Sequence, residues 1–106
     1  MTGRRPGVTA ARLDQLIAEA TVDCYNEEEQ LTGLFTLIED NLVLPFQTNV
    51  LGVPVTVAGV DLTAGGIVAI CRRDGARQAI PLLELPLPTP APGGVEWIEA
   101  YRQWAG

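Results

Sequence analysis

The chain has 106 residues, a size that suits one domain, and 47% of them are apolar, enough to close one core. Thirteen acidic against seven basic residues leave a net charge of −6, which repels phosphate backbones and argues against nucleic-acid binding. With no histidine and two cysteines, the chain has too few nitrogen and sulfur ligands for a structural zinc site, and no apolar run approaches the roughly 20 residues of a membrane span.

Any chemistry must therefore come mainly from oxygen ligands. The chain shows no nucleotide loop and no nucleophile–base pair, so an enzyme is not expected. The N-terminal stretch lacks a signal-peptide core, and two cysteines without a signal suit a reducing, cytoplasmic compartment. All seven basic residues are arginine, which reads first as a composition bias.

Residues 1–8 are small, basic and rich in Gly and Pro, and read as a flexible tail. Residues 9–106 read as a single α+β domain. Thr9 caps a first helix expected over Ala10 to Val22, with Leu13, Leu16, Ile17 and Ala20 on one face. A second helix starts after Asn26. Asn26 and Glu29 have the spacing of a capping box, with Asn in place of Ser or Thr. Leu31, Leu34, Phe35, Ile38 and Leu42 form its apolar stripe. So short a connection predicts two helices packed antiparallel.

From Phe46 to about Leu85 the sequence turns β-branched and glycine-punctuated. Phe46, Thr48 and Val50 share one parity. Val53, Val55 and Val57 share another run, broken at Ala58-Gly59. Ile67 to Cys71 reads as an apolar strand, Arg73-Asp74-Gly75-Ala76 as a tight turn, and Gln78 to Leu83 as the returning strand. Gly52 and Gly59 are expected at bends or bulges. Four or five short strands predict a small antiparallel barrel or a strongly curled sheet, with an SH3-like barrel as the candidate. The proline-spaced segment Leu85 to Gly94 is expected to lie along the domain surface. Val95 to Ala105 reads as a closing helix with Trp97, Ile98, Tyr101 and Trp104 on its docked face.

The runs YNEEEQLTGLFTLIEDNLVLPF, VLGVPVTVAGVDL, IVAICRRDGARQAIPLLELPLP and EWIEAYRQW together resemble the bacterial calcium-binding family typified by CcbP. The resemblance covers roughly Val22 to Trp104. It implies a small α+β protein that binds calcium at surface carboxylates without an EF-hand, as buffer or sensor.

The densest oxygen supply is Asp23 to Gln30, DCYNEEEQ. Calcium takes about six to eight oxygen ligands, and the EF-hand loop pattern is absent, so a site must combine separate segments. On a helical wheel of about 100° per residue, Glu27 lies about 40° to one side of Leu31 and Glu28 about 60° to the other. Both border the buried face, whereas Glu29 and Asp40 point away from it. The candidate ligands are thus Glu27 and Glu28, assisted by Asp23 and Asn26, with a strand acid, Asp61 or Glu84, completing the shell. Competing structural readings stand beside each. Acids in a first helical turn offset the helix dipole, and strand alternation alone points Asp61 and Glu84 at solvent. Arg72, Arg73 and Arg77 cluster at one hairpin, either as a solvated turn or as a contact for an acidic partner. A protein-interaction module without metal dependence is the alternative function.

Overall fold

The computed structural model describes residues 9–106, so the expected tail at residues 1–8 lies outside the described residues. Those described form three helices and four strands. The helices are α1 (Ala10–Ala20), α2 (Glu27–Asn41) and α3 (Val95–Ala105); the strands are β1 (Phe46–Val50), β2 (Val53–Thr63), β3 (Gly66–Arg73) and β4 (Ala76–Pro81).

Helix α1 begins at the expected cap, where the Thr9 side chain accepts from the Arg12 amide. It stops two residues short of the expected end. The Thr21 amide and hydroxyl both donate to the Ile17 carbonyl, and Asp23 then takes a left-handed φ of 62°. A helix cannot continue through that conformation. Helix α2 then passes very close to this corner. A side-chain carbon at Gly33 would lie 2.2 Å from the Ala20 carbonyl oxygen, so only glycine lets the two backbones approach so closely.

Every strand pairs antiparallel with the next, in the order β1-β2-β3-β4. The Leu51-Gly52 and Asp74-Gly75 turns each have both central residues at positive φ, the geometry of two-residue hairpins whose twist matches the strands. The register slips between Val57 and Gly59, where the sequence parity breaks. This bulge has a clear packing consequence. Val55 and Val57 face the core before it, Val60 and Leu62 after it, so an eleven-residue strand keeps its apolar side inward although the parity changes.

The expected SH3-like barrel is not what forms: the sheet is open. Two-residue turns lay each strand beside its sequence neighbour, and β1 does not pair with β4. The proline-spaced segment passes beside β1, and its Pro86 carbonyl accepts from the buried Thr48 hydroxyl at 2.6 Å. That segment lies on the domain as expected, with Leu85 buried and Leu87 half-buried.

One face of the sheet carries the core. Where the helices meet it, Leu16, Leu34, Ile38, Ile67, Leu82 and Ile98 are almost fully buried. A smaller cluster of Val55, Val57, Ala69, Cys71 and Ile80 gathers around Leu85. Phe46 and Leu44 pack against both clusters and join them. The opposite face of the sheet remains open.

Helix α3 ties the layers together. Four consecutive residues each reach a different element. The Tyr101 hydroxyl accepts from the Ile67 amide of β3. Arg102 donates to the Leu82 and Leu85 carbonyls. Gln103 donates to Asp14 of α1 at 2.6 Å, and the Trp104 indole donates to Gln30 of α2 at 2.9 Å. Among the described residues no helix is long and apolar enough to cross a membrane.

Candidate functional site

The acidic stretch sits where the sequence places it, at the start of α2. Asn26 is the cap: its backbone is extended, at φ −147°, and its Oδ1 accepts from the Glu29 amide at 2.8 Å. The reciprocal bond differs from the expected one by a residue. Glu29 Oε1 accepts from the Tyr25 amide at 2.7 Å, not from the Asn26 amide. The left-handed turn at Asp23 and the extended Asn26 bring the Tyr25 N–H round to the first helical turn. The Cys24 thiol donates to the Glu29 carbonyl at 3.4 Å. Asn26 and Glu29 are therefore engaged in holding the corner.

Asp23, Glu27 and Glu28 are exposed, and no described arginine forms an ion pair with them. They diverge. Glu27 turns towards α3 and lines a groove of about 410 Å³ together with Gln30, Leu31, Leu83, Tyr101 and Trp104. Glu28 lines a shallower hollow of about 370 Å³ with Asn26, Glu29 and Thr32. The roughly 100° between neighbours on a helix separates the two carboxylates.

Asp61 projects from the open face of the sheet, opposite Val68, and its carboxylate accepts from the next amide, Leu62, at 2.9 Å. Glu84 is exposed in the turn after β4, where its amide bonds to the Pro81 carbonyl. Neither lines the two hollows that hold Glu27 and Glu28. Among the described residues no three Asp, Glu or Cys side chains are gathered so as to hold one metal ion.

Two features escaped the sequence reading. The groove beside Glu27 has a wall of stacked rings, Tyr101 and Trp104, with centroids 6.2 Å apart. Their helical spacing had marked them only as a docked face. The other feature is the alignment of Arg72 directly opposite Arg77 across β3 and β4. Counting outward from the Asp74-Gly75 turn would have given that pair. No protein-family model, curated protein or solved structure matches the chain.

Proposed function

We propose that the chain is a calcium-binding protein of non-EF-hand type, acting as buffer or sensor, with its ion held on the acidic start of α2. The observation that carries this reading is the set of exposed carboxylates at Asp23, Glu27 and Glu28, close together in sequence at the start of α2, with no arginine pairing them among the described residues. Adjacent carboxylates repel one another, and a divalent cation relieves that repulsion. The resemblance to CcbP-type proteins supports the choice of calcium.

The best-furnished position is the hollow at Glu28, which Asn26, Glu28, Glu29 and Thr32 line. Glu27 adds charge from the neighbouring groove. Water supplies the rest of the six to eight oxygens. Two physical factors weaken such a site. The α2 N-terminus is the positive end of its dipole, and Asn26 and Glu29 already spend lone pairs on capping. The expected Kd is on the order of 0.1–1 mM, in the range of open, weakly furnished sites. Asp61 and Glu84 stand apart and are not needed by this arrangement. The two free thiols, Cys24 and Cys71, suit a cytoplasmic setting.

Isothermal titration of chelator-stripped protein with calcium, then in excess magnesium, tests this. The expected result is saturable binding that survives magnesium and weakens at least tenfold in the Glu27→Gln, Glu28→Gln double variant, with the fold intact. Absence of both heat and a calcium-induced Tm shift sinks the reading. A second reading, a metal-independent interaction module, is favoured by the aromatic groove beside Glu27. Partner binding unaffected by chelator separates the two.

A further inference from the structure

The outer edge of β4 is open. Its residues Ala76 to Ala79 are exposed. Apart from the Glu84 amide, which bonds to the Pro81 carbonyl, no described backbone group bonds to β4 from outside its pairing with β3. The Leu82 amide donates to the Ile67 carbonyl at 3.0 Å, which fixes how the ladder alternates. Leu82, Ile80, Gln78 and Ala76 turn their backbone groups to β3, whereas Arg77, Ala79 and Pro81 turn theirs outward. The Arg77 and Ala79 amides and carbonyls therefore form a short, unoccupied strand template that ends at Pro81, which has no amide to offer.

The same alternation makes Arg72–Arg77 a non-hydrogen-bonded pair. These are the closer pairs of an antiparallel ladder, with Cα atoms about 4.5 Å apart. Like charges directly opposite each other destabilise a sheet. Both arginines are exposed, and neither has an ion-pair partner among the described residues. They continue a row that runs across all four strands on the open face: Gln47, Thr56, Arg72 and Arg77. Every member of the row offers a hydrogen-bond donor. In a chain of net charge −6, this is a locally positive stripe beside a free strand edge.

We infer that the β4 edge docks an acidic peptide segment of a partner protein by strand addition, with a peptide carboxylate seated against Arg77 and Arg72. The backbone template provides the extended peptide with hydrogen bonds, and the paired guanidiniums select a carboxylate on the same face. The small number of arginines, and a strand edge whose hydrogen bonds match a peptide backbone, disfavour a nucleic acid on the same stripe. The inference stands independently of the calcium reading, because none of these residues belongs to the α2 corner.

The probes are two fluorescein-labelled decapeptides of alternating Val and Glu, or Val and Lys, with a single-stranded DNA of matched charge, followed by anisotropy at physiological salt in chelator. Saturable binding of the Glu peptide, at least tenfold tighter than that of the Lys peptide or the DNA, is expected. The Arg72→Gln, Arg77→Gln double variant should weaken it at least tenfold. Ala79→Pro, which removes an outward amide and leaves the β3 ladder bonds in place, should weaken it at least fivefold. Thermal melting supplies the control for folding, and Arg72→Gln alone should raise Tm at low salt by removing the like-charge contact. Equal binding of both peptides, DNA binding as tight as the Glu peptide, or indifference to Ala79→Pro would overturn the proposal.

Discussion

At the residue scale, several positions are explained by backbone geometry. Gly33 is the sharpest case. Intrinsic propensity favours alanine over glycine inside a helix by about 1 kcal/mol. Here the added carbon would meet the Ala20 carbonyl at 2.2 Å. Gly33→Ala should therefore lower stability, by about 1–3 kcal/mol as overpacking does, and urea unfolding would read it. An increase would mean that the corner between α1 and α2 yields easily. Leu51 is the opposite case. It sits at φ 51° and is 98% exposed, so it bears left-handed strain and contributes little burial. Leu51→Asn, giving the Asn-Gly pair that such turns favour, should raise stability by about 0.5–1 kcal/mol in the same assay. Asn26→Ala should cost about 1 kcal/mol, since it leaves the Glu29 amide without its acceptor.

The two cysteines also differ at this scale. Cys71 is 1% exposed, and burial raises its pKa above the ordinary thiol value of 9.0. Folding thus favours the neutral thiol. That contribution is fully present below the ordinary thiol range and is lost as pH rises from there through the raised folded value. A thiol reagent at neutral pH should label Cys24, which is half-buried, and reach Cys71 only on unfolding. Rapid labelling of both thiols in the folded protein would contradict this burial.

At the element scale, α3 is the helix on which the others depend. Tyr101, Arg102, Gln103 and Trp104 tie it to β3, to the 82–85 turn, to α1 and to α2. Its start is equally constrained. Gly94 precedes it at φ 85°, and a side-chain carbon there would lie 2.1 Å from the Asn41 carbonyl at the end of α2. Arg102→Met keeps an apolar stem and removes the donors, so the Leu82 and Leu85 carbonyls lose their partner. The expected loss is about 1.5–3 kcal/mol, the usual range for charge-assisted bonds.

At the scale of the whole molecule, two segments differ in charge. The start of α2 is acidic, and the β3–β4 hairpin carries Arg72, Arg73 and Arg77. The two proposals use these two segments. On the proposed reading, calcium binds the folded state alone and should stabilise the protein by mass action, by about 1.4 kcal/mol at ten times the Kd. For a domain of this size that is a rise of several degrees in Tm. Magnesium at equal concentration should give less, since it dehydrates reluctantly.

Local chemistry determined much of this protein. The caps at Thr9 and Asn26, the three helices, the two-residue turns at Gly52 and Gly75 and the break at Gly59 are all set by residues within a few positions of one another. Their physics, namely amide satisfaction, positive φ and side-chain period, is short-range and so legible in the chain. Even the Arg72–Arg77 pairing follows from counting outward from a turn. Closure of the sheet was not legible. It depends on whether the β1 and β4 edges meet, a choice made by packing between distant segments. The divergence of Glu27 and Glu28 was half legible: the wheel separated them by angle. Only the docking of α3, which sets Tyr101 and Trp104 beside one and not the other, decided that they line different hollows. Asp61 and Glu84 illustrate the same limit, because alternation gives the face on which an acid lies but not what stands across from it.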